Sequence, residues 1–72
     1  MEAEIWRPRV GAPCLYTLLT EERGVRNAPA RIAVVRPDWV LDLDVQLDGR
    51  VERRCGVSMS RSALEPHTWR LP

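Results

Sequence analysis

The segment from Trp39 to Asp48 alternates between apolar and polar residues. Its odd-numbered positions are all apolar: Trp39, Leu41, Leu43, Val45 and Leu47. From position 42 onward the even-numbered positions are Asp or Gln. A repeat of two is the period of a β-strand, whereas on a helix these positions would spread around the circumference. The pattern predicts a half-buried strand whose odd-numbered side chains, including that of Trp39, lie in the core.

A second strand follows across a turn. Asp48-Gly49 is a common turn pair, and residues 50–57 resume the alternation with Val51, Cys55 and Val57 in one phase. The two segments are therefore predicted to form a hairpin.

The loop length of this hairpin follows from which faces meet. Directly opposed residues share a face, so a two-residue loop would place Glu52 opposite Val45 on the core side. We therefore expect a three-residue loop, 47–49, closed by a left-handed glycine. The expected pairs are Val45 with Val51, Leu41 with Cys55 and Asp42 with Arg54, which leaves Arg53 opposite Leu43 at a barrel mouth.

Three shorter strands complete the prediction, at residues 13–19, 28–35 and 67–71. Residues 20–27 are expected to form a polar, exposed loop. A proline turn is predicted at 36–38, and one tight helical turn within 58–66.

This order of elements resembles the Src-homology-3-like (SH3-like) or Tudor-like small barrel, in which a tight helical turn also joins the last two strands. The segments that carry the resemblance are Gly11–Cys14, Ala28–Ile32, the alternating strand with Asp48-Gly49, and Ser62–Pro66 with Trp69. It implies an all-β fold, a small five-stranded SH3-like barrel over about residues 10–71 with one short helical turn before the last strand. Residues 1–9 would be an N-terminal arm or extra strand. More narrowly, the pattern is similar to small phage or prophage proteins of this barrel type, many of unassigned function.

Length and composition agree with one small domain, residues 1–72. Of the 72 residues, 44% are hydrophobic and 29% are charged, as in an ordinary globular protein. No apolar stretch approaches the roughly 20 residues that cross a bilayer, and the acidic start Met1–Glu4 is unlike a secretory signal. We expect a cytoplasmic protein without membrane contact.

The charge balance argues against a dedicated nucleic-acid binder. All 11 positively charged residues are arginine, and 10 acidic residues nearly cancel them to a net charge of +1. Nucleic-acid-binding domains usually carry a clear basic excess.

Cysteine and histidine are too few for a metal centre. Cys14, Cys55 and His67 are the only such residues, whereas a zinc site uses four nitrogen or sulfur ligands. We expect both cysteines to be buried and free, His67 to lie on an exposed loop or strand edge, and no metal or cofactor to be bound.

No arrangement of residues indicates an active site. Asp42 and Asp44 lie two apart on one strand face, which is compatible with acid–base or metal chemistry. The favoured interpretation makes them solvated partners of Arg54 or Arg50 across the hairpin. The four glycines are isolated, so no phosphate-binding loop is present, and we expect a protein that is not an enzyme.

The leading hypothesis is a non-enzymatic protein-interaction or assembly module, phage- or prophage-related by the resemblance, whose partner is a protein or a second copy of itself. Trp6 and Trp69 either pack together over a barrel end or present a surface to that partner. The predicted binding residues are Trp6, Tyr16, Trp69, Arg50, Arg53 and Arg54. An alternative is a nucleic-acid-binding barrel that uses an arginine face, Arg31, Arg50, Arg53, Arg54 and Arg61, with a stacking tryptophan. A third is an enzyme built at a subunit interface.

Overall fold

Five strands form a closed all-β barrel in the computed structural model, which describes residues 7–62 and 64–72. The strands are β1 (Pro13–Thr20), β2 (Gly24–Val35), β3 (Leu41–Leu47), β4 (Arg50–Met59) and β5 (Thr68–Arg70). The predicted small, five-stranded all-β barrel is therefore confirmed. No helix in the described part of the chain is long and apolar enough to cross a membrane.

The barrel closes because β1 pairs with both β2 and β5. Strands β1 to β4 are antiparallel neighbours in chain order, and β5 returns antiparallel to β1. The last contact is parallel, with Ser58 of β4 beside Thr68 and Met59 beside Trp69 of β5. β5 thus joins the end of β4 to the middle of β1.

Side chains from all five strands fill the interior of the barrel. The buried apolar residues are Cys14, Tyr16, Ala28, Ala30, Ile32, Leu41, Leu43, Val45, Val57 and Trp69. Burying a large apolar side chain contributes about 1.5–3 kcal/mol. A chain this short has few such side chains, so its stability depends strongly on each one.

The tryptophan in the core is Trp69, and the prediction that Trp39 lies there is wrong. Trp69 is fully buried, whereas Trp39 is 39% exposed. Trp39 belongs to a 3-10 turn, Pro37–Trp39, in which Asp38 and Trp39 have φ values of +60° and +58°. The alternation therefore begins only at Leu41, and Trp39 stacks on Trp69 with ring centroids 6.4 Å apart.

The hairpin between β3 and β4 has a two-residue loop, so the predicted three-residue loop is wrong. Leu47 pairs with Arg50 across Asp48-Gly49, and Val51 lies 60% exposed on the outer surface. Each pair near the turn is shifted from the prediction. The observed pairs are Val45 with Glu52, Asp44 with Arg53, Leu43 with Arg54 and Leu41 with Val57.

A bulge in β4 restores a buried apolar residue after this shift. The pairing steps from Leu43–Arg54 to Leu41–Val57, so β4 holds one extra residue over this interval. Gly56 in the bulge has a φ of +66°, and Val57 beyond it is buried. The bulge also leaves Cys55 exposed, which contradicts the prediction that both cysteines are buried, while Cys14 is buried as expected.

Two connections differ from the predicted ones. Residues 20–27 are not a long loop, because β2 begins at Gly24 and pairs with β1 from there on. The sequence predicts a short helical turn within residues 58–66. In the described residues the 3-10 turn, Pro37–Trp39, also precedes the last strand in the chain, but it connects β2 to β3. The described residues between Met59 and Thr68 form turns and bends.

Candidate functional site

The pairing register aligns outward-facing side chains across four strands. One row consists of Pro13, Arg31, Asp44 and Arg53, each paired with the next. In the adjacent row Leu15 pairs with Pro29, and Gln46 pairs with Val51. Alternation places these side chains on the face opposite the core.

These rows border a depression that we call the outer-face groove. Its volume is about 600 Å³. The residues lining it are Pro13, Cys14, Leu15, Pro29, Ala30, Arg31, Asp44, Gln46, Val51 and Pro72. A mostly apolar recess with a few polar groups is the usual form of a binding site.

Pro29 explains why the sheet is interrupted under this groove. The β2–β3 ladder ends at Ala30 and Val45, immediately before Pro29 would meet Gln46. Proline has no N–H to donate to a neighbouring strand. Pro29 and Gln46 therefore lie side by side at the groove without ladder pairing.

The charged groups of the groove are partly engaged by the protein itself. The Arg31 guanidinium donates to the Gly11 carbonyl oxygen at 3.0 Å. Asp44 accepts from Arg53, and this hydrogen bond raises the pKa of Arg53 above its ordinary value. Arg31 and Asp44 thus set one positive and one negative group at the edge of an apolar surface.

The predicted binding residues are divided between the two faces of the barrel. Tyr16 and Trp69 are 3% and 0% exposed on the inner face, so Trp69 packs in the barrel and does not present its ring to a partner. Arg53 lies on the outer face beside Asp44. Trp6, and with it the predicted contact of Trp6 and Trp69, lies outside the described residues.

Arg50 and Arg54 flank Glu52 on the inner side of β4. Glu52 accepts from Arg50 Nε at 2.7 Å and from Arg54 at 2.8 Å. The hydrogen bond to Glu52 raises the pKa of Arg54, with a smaller contribution from Tyr16. The structure therefore brings Tyr16 and Arg54 together but separates both from Arg53.

His67 is exposed, as predicted, and its neighbour is a phenol. Its Nδ1 lies 3.0 Å from the Tyr16 hydroxyl, and its backbone N–H donates to the Thr17 carbonyl. No three His, Cys, Asp or Glu side chains among residues 7–62 and 64–72 converge as a metal site would require.

Asp42 and Asp44 have separate surroundings, which overturns the prediction that both are solvated partners of Arg50 or Arg54. Asp42 is 3% exposed, pairs with Arg36 at 2.7 Å and accepts from the Gly56 N–H at 2.9 Å. The hydrogen bond from Arg36 and that from Gly56 lower the pKa of Asp42 to about 2. This carboxylate therefore holds the β4 bulge and does not form a site with Asp44.

The buried thiol of Cys14 is held in its protonated form by its surroundings. Burial raises the pKa of Cys14 to about 11, and the thiolate is the reactive form of cysteine. Cys14 lines the groove as a small apolar group.

Sequence reasoning did not find the outer-face groove. Pro13, Leu15, Pro29 and Val51 come from three separated segments, and no spacing along the chain relates them. The one available signal was that the odd-numbered positions of β1 include the apolar residues Pro13 and Leu15. The residues that lie beside them on other strands are known only once the pairing register is known. Comparison of the chain with protein-family models, curated proteins and solved structures finds no significant match.

Proposed function

We propose that this protein is a non-enzymatic protein-interaction module that binds a short extended segment of a partner protein in the outer-face groove. The observation that carries the proposal is the outward-facing, mostly apolar groove that residues of four strands line, with Val51 60% exposed at its end. Exposed apolar recesses of this kind mark interaction sites on soluble domains.

The dimensions of the groove favour an extended ligand. Four adjacent strands spaced about 4.8 Å apart span about 14 Å. That length corresponds to about four residues of extended chain. Apolar side chains of the segment would contact Leu15, Pro29 and Val51, and polar ones would reach Arg31 or Asp44.

Intramolecular ion pairs weaken the case for nucleic acid. Arg50 and Arg54 pair with Glu52, and Arg53 pairs with Asp44. Binding of phosphates gains free energy when cationic side chains release counterions from the nucleic acid, and these arginines already have carboxylate partners. Trp69, one candidate for base stacking, is buried.

The small phage or prophage barrels that the sequence resembles are consistent with a role in assembly. We therefore infer that the partner is a protein and that binding, and no chemical step, is the activity. The resemblance does not identify the partner.

A peptide selection tests the proposal with a matched control. The wild type, Val51→Glu and Leu19→Glu are each used to select from a displayed library of random heptapeptides. Leu19 is as exposed as Val51, 60% in both cases, but does not line the groove. We expect the wild type and Leu19→Glu to enrich the same apolar peptides, and Val51→Glu to bind them at least about tenfold more weakly, because it places a charge on the groove.

Two outcomes would contradict the proposal. One is equal enrichment by Val51→Glu, and the other is equal loss of binding in Leu19→Glu. Fluorescence anisotropy with a 20-nucleotide single strand of DNA or RNA, measured from about 25 to 200 mM salt, tests the alternative. Tight binding that falls steeply with salt would favour nucleic acid.

A further inference from the structure

One edge of β4 is largely unpaired. Its other edge pairs with β3 from Arg50 to Val57, but β5 covers only Ser58 and Met59 on the free side. Within the described residues, no strand pairs with residues 50–57 on that side. The backbone N–H and C=O groups of an unpaired edge favour the addition of another strand.

The usable part of this edge is short and charged. The bulge at Gly56 distorts the strand, so the regular run ends at Arg54. Residues 50–54 read Arg-Val-Glu-Arg-Arg. Charges on an edge usually prevent pairing, but on one face of β4 the side chains of Arg50, Glu52 and Arg54 alternate in sign. This alternation permits one arrangement.

We propose that two copies of this chain pair antiparallel along the free edges of β4, with Val51 on the two-fold axis. In such a pairing, opposed residues share a face and their residue numbers have a constant sum. With Val51 opposite itself, Arg50 lies opposite the partner's Glu52. The symmetry produces this ion pair twice, while Arg53 and Arg54 extend past the partner's strand toward its Asp48-Gly49 turn.

The neighbouring registers place like charges together. With Glu52 on the axis, Glu52 meets itself and Arg50 meets the partner's Arg54. With Arg50 or Arg53 on the axis, two arginines meet directly. Directly opposed like charges destabilise a strand pair, so the sequence of β4 selects the register centred on Val51.

This pairing would join two outer-face grooves across the axis. Val51 is the groove residue nearest the free edge of β4, and the partner's Val51 would lie beside it. The dimer would therefore present one continuous outer surface of eight strands. Self-association stands independently of what the groove binds.

The strand pairing involves only residues 50–52 of each chain, with residues 53 and 54 beside the partner's turn. It is smaller than the roughly 1,600 Å² of a standard stable interface, so we expect a reversible dimer that forms at concentrations of about 10 µM to 1 mM.

Disulfide trapping tests the register. Val51→Cys and Arg53→Cys are prepared in a Cys55→Ser background, which removes the exposed native thiol. Opposed residues of an antiparallel pair have Cα atoms about 4.5–5.5 Å apart, within the range of a disulfide. Two copies of position 53 would be offset by about 13 Å along the strands. We expect Val51→Cys to form a covalent dimer at about 100 µM under mild oxidation, at least about fivefold faster than Arg53→Cys.

Sedimentation equilibrium tests the charges. Glu52→Arg should weaken dimerisation at least about tenfold, because like charges then face each other at positions 50 and 52. The double variant Arg50→Glu/Glu52→Arg should restore it, since opposite charges face each other again. Far-ultraviolet circular dichroism and thermal unfolding confirm that each variant is folded.

Three results would overturn the proposal. They are a wild-type protein that stays monomeric at about 1 mM, equal trapping of the two cysteine variants, and a double variant that remains as weak as Glu52→Arg. If Glu52→Arg does not fold, the trapping experiment alone decides, because both of its substitutions lie on the exposed outer face.

Discussion

β3 and β4 are neighbouring strands of one hairpin, yet one is mostly buried and the other is mostly exposed. Leu41, Leu43 and Val45 of β3 are each 0% exposed, whereas Val57 is the only buried residue of β4. β3 pairs with β2 on one side and β4 on the other within residues 41–45, but β4 has one largely free edge. β3 therefore contributes more buried apolar side chains to the core, and β4 is available for interaction.

The largest expected effect is a loss of stability when a buried side chain of β3 is shortened. Leu43→Ala removes a fully buried side chain and should lower the free energy of unfolding by about 2–5 kcal/mol. Val51→Ala, in the opposite strand, should change it by less than about 0.5 kcal/mol because Val51 is 60% exposed. Urea or guanidinium unfolding measures both. Similar losses for the two variants would mean that β4 contributes to the core as much as β3 does.

A second prediction concerns the contact that joins β3 to the bulge of β4. The pKa of Asp42 is about 2 in the folded protein, below the ordinary value of 3.8, chiefly because of the hydrogen bond from Arg36. A lowered folded pKa adds stability above the unfolded pKa, and that stability is lost as the pH falls through the folded pKa. We therefore expect the stability of the wild type to decline from about pH 5 to pH 2. Asp42→Asn should make this decline smaller and should lower the melting temperature at pH 7 by at least about 5 °C.

Asp48→Asn is the matched control for this experiment. Arg26 lowers the pKa of Asp48 by a similar hydrogen bond, but the Asp48 side chain is 86% exposed, so solvent screens its ion pair. Thermal unfolding across pH 2–7 should show a much smaller effect for Asp48→Asn. If the two substitutions had equal effects, the buried contact of Asp42 with the bulge would contribute no more to stability than the exposed ion pair of Asp48.

The smallest expected difference, between two substitutions at one position, concerns the bulge itself. Gly56 has a φ of +66°, and a Cβ placed there would meet no heavy atom within 4 Å. Gly56→Ala should therefore cost only the backbone strain of about 1–2 kcal/mol. Gly56→Asn should cost less, because asparagine tolerates this conformation better. If the two variants unfold at the same denaturant concentration, left-handed backbone geometry is not what the bulge requires.

Local patterns were sufficient to predict the fold class and most strands. The alternation around Leu43, the Asp48-Gly49 turn and the proline turn at 36–38 are short-range signals, and the structure has strands or turns at each. Burial of Cys14 and exposure of His67 also agree with the prediction.

The candidate site could not be predicted in the same way. Leu15, Pro29 and Val51 become neighbours only through the pairing of separate strands. The predicted binding residues included three arginines of β4 near this surface. The shorter loop of the hairpin decided that Arg53 faces outward while Arg50 and Arg54 lie on the inner side. Binding roles for the predicted residues that remain exposed, Arg50 and Arg53, stay predictions.

The amino-acid sequence alone determined that this chain forms short β-strands, because the alternation of apolar and polar residues is visible within each short segment. Tertiary structure decided which side chains of β4 lie inside. The two-residue loop sets the pairing of residues 50–54, and the bulge at Gly56, whose N–H donates to Asp42, brings Val57 inward. Tertiary structure also decided that Trp69 fills the core while Trp39 covers it from outside. Contacts between residues distant in the chain decide which side of a strand is buried and which residues lie beside it. Such contacts produce no repeating pattern in the sequence.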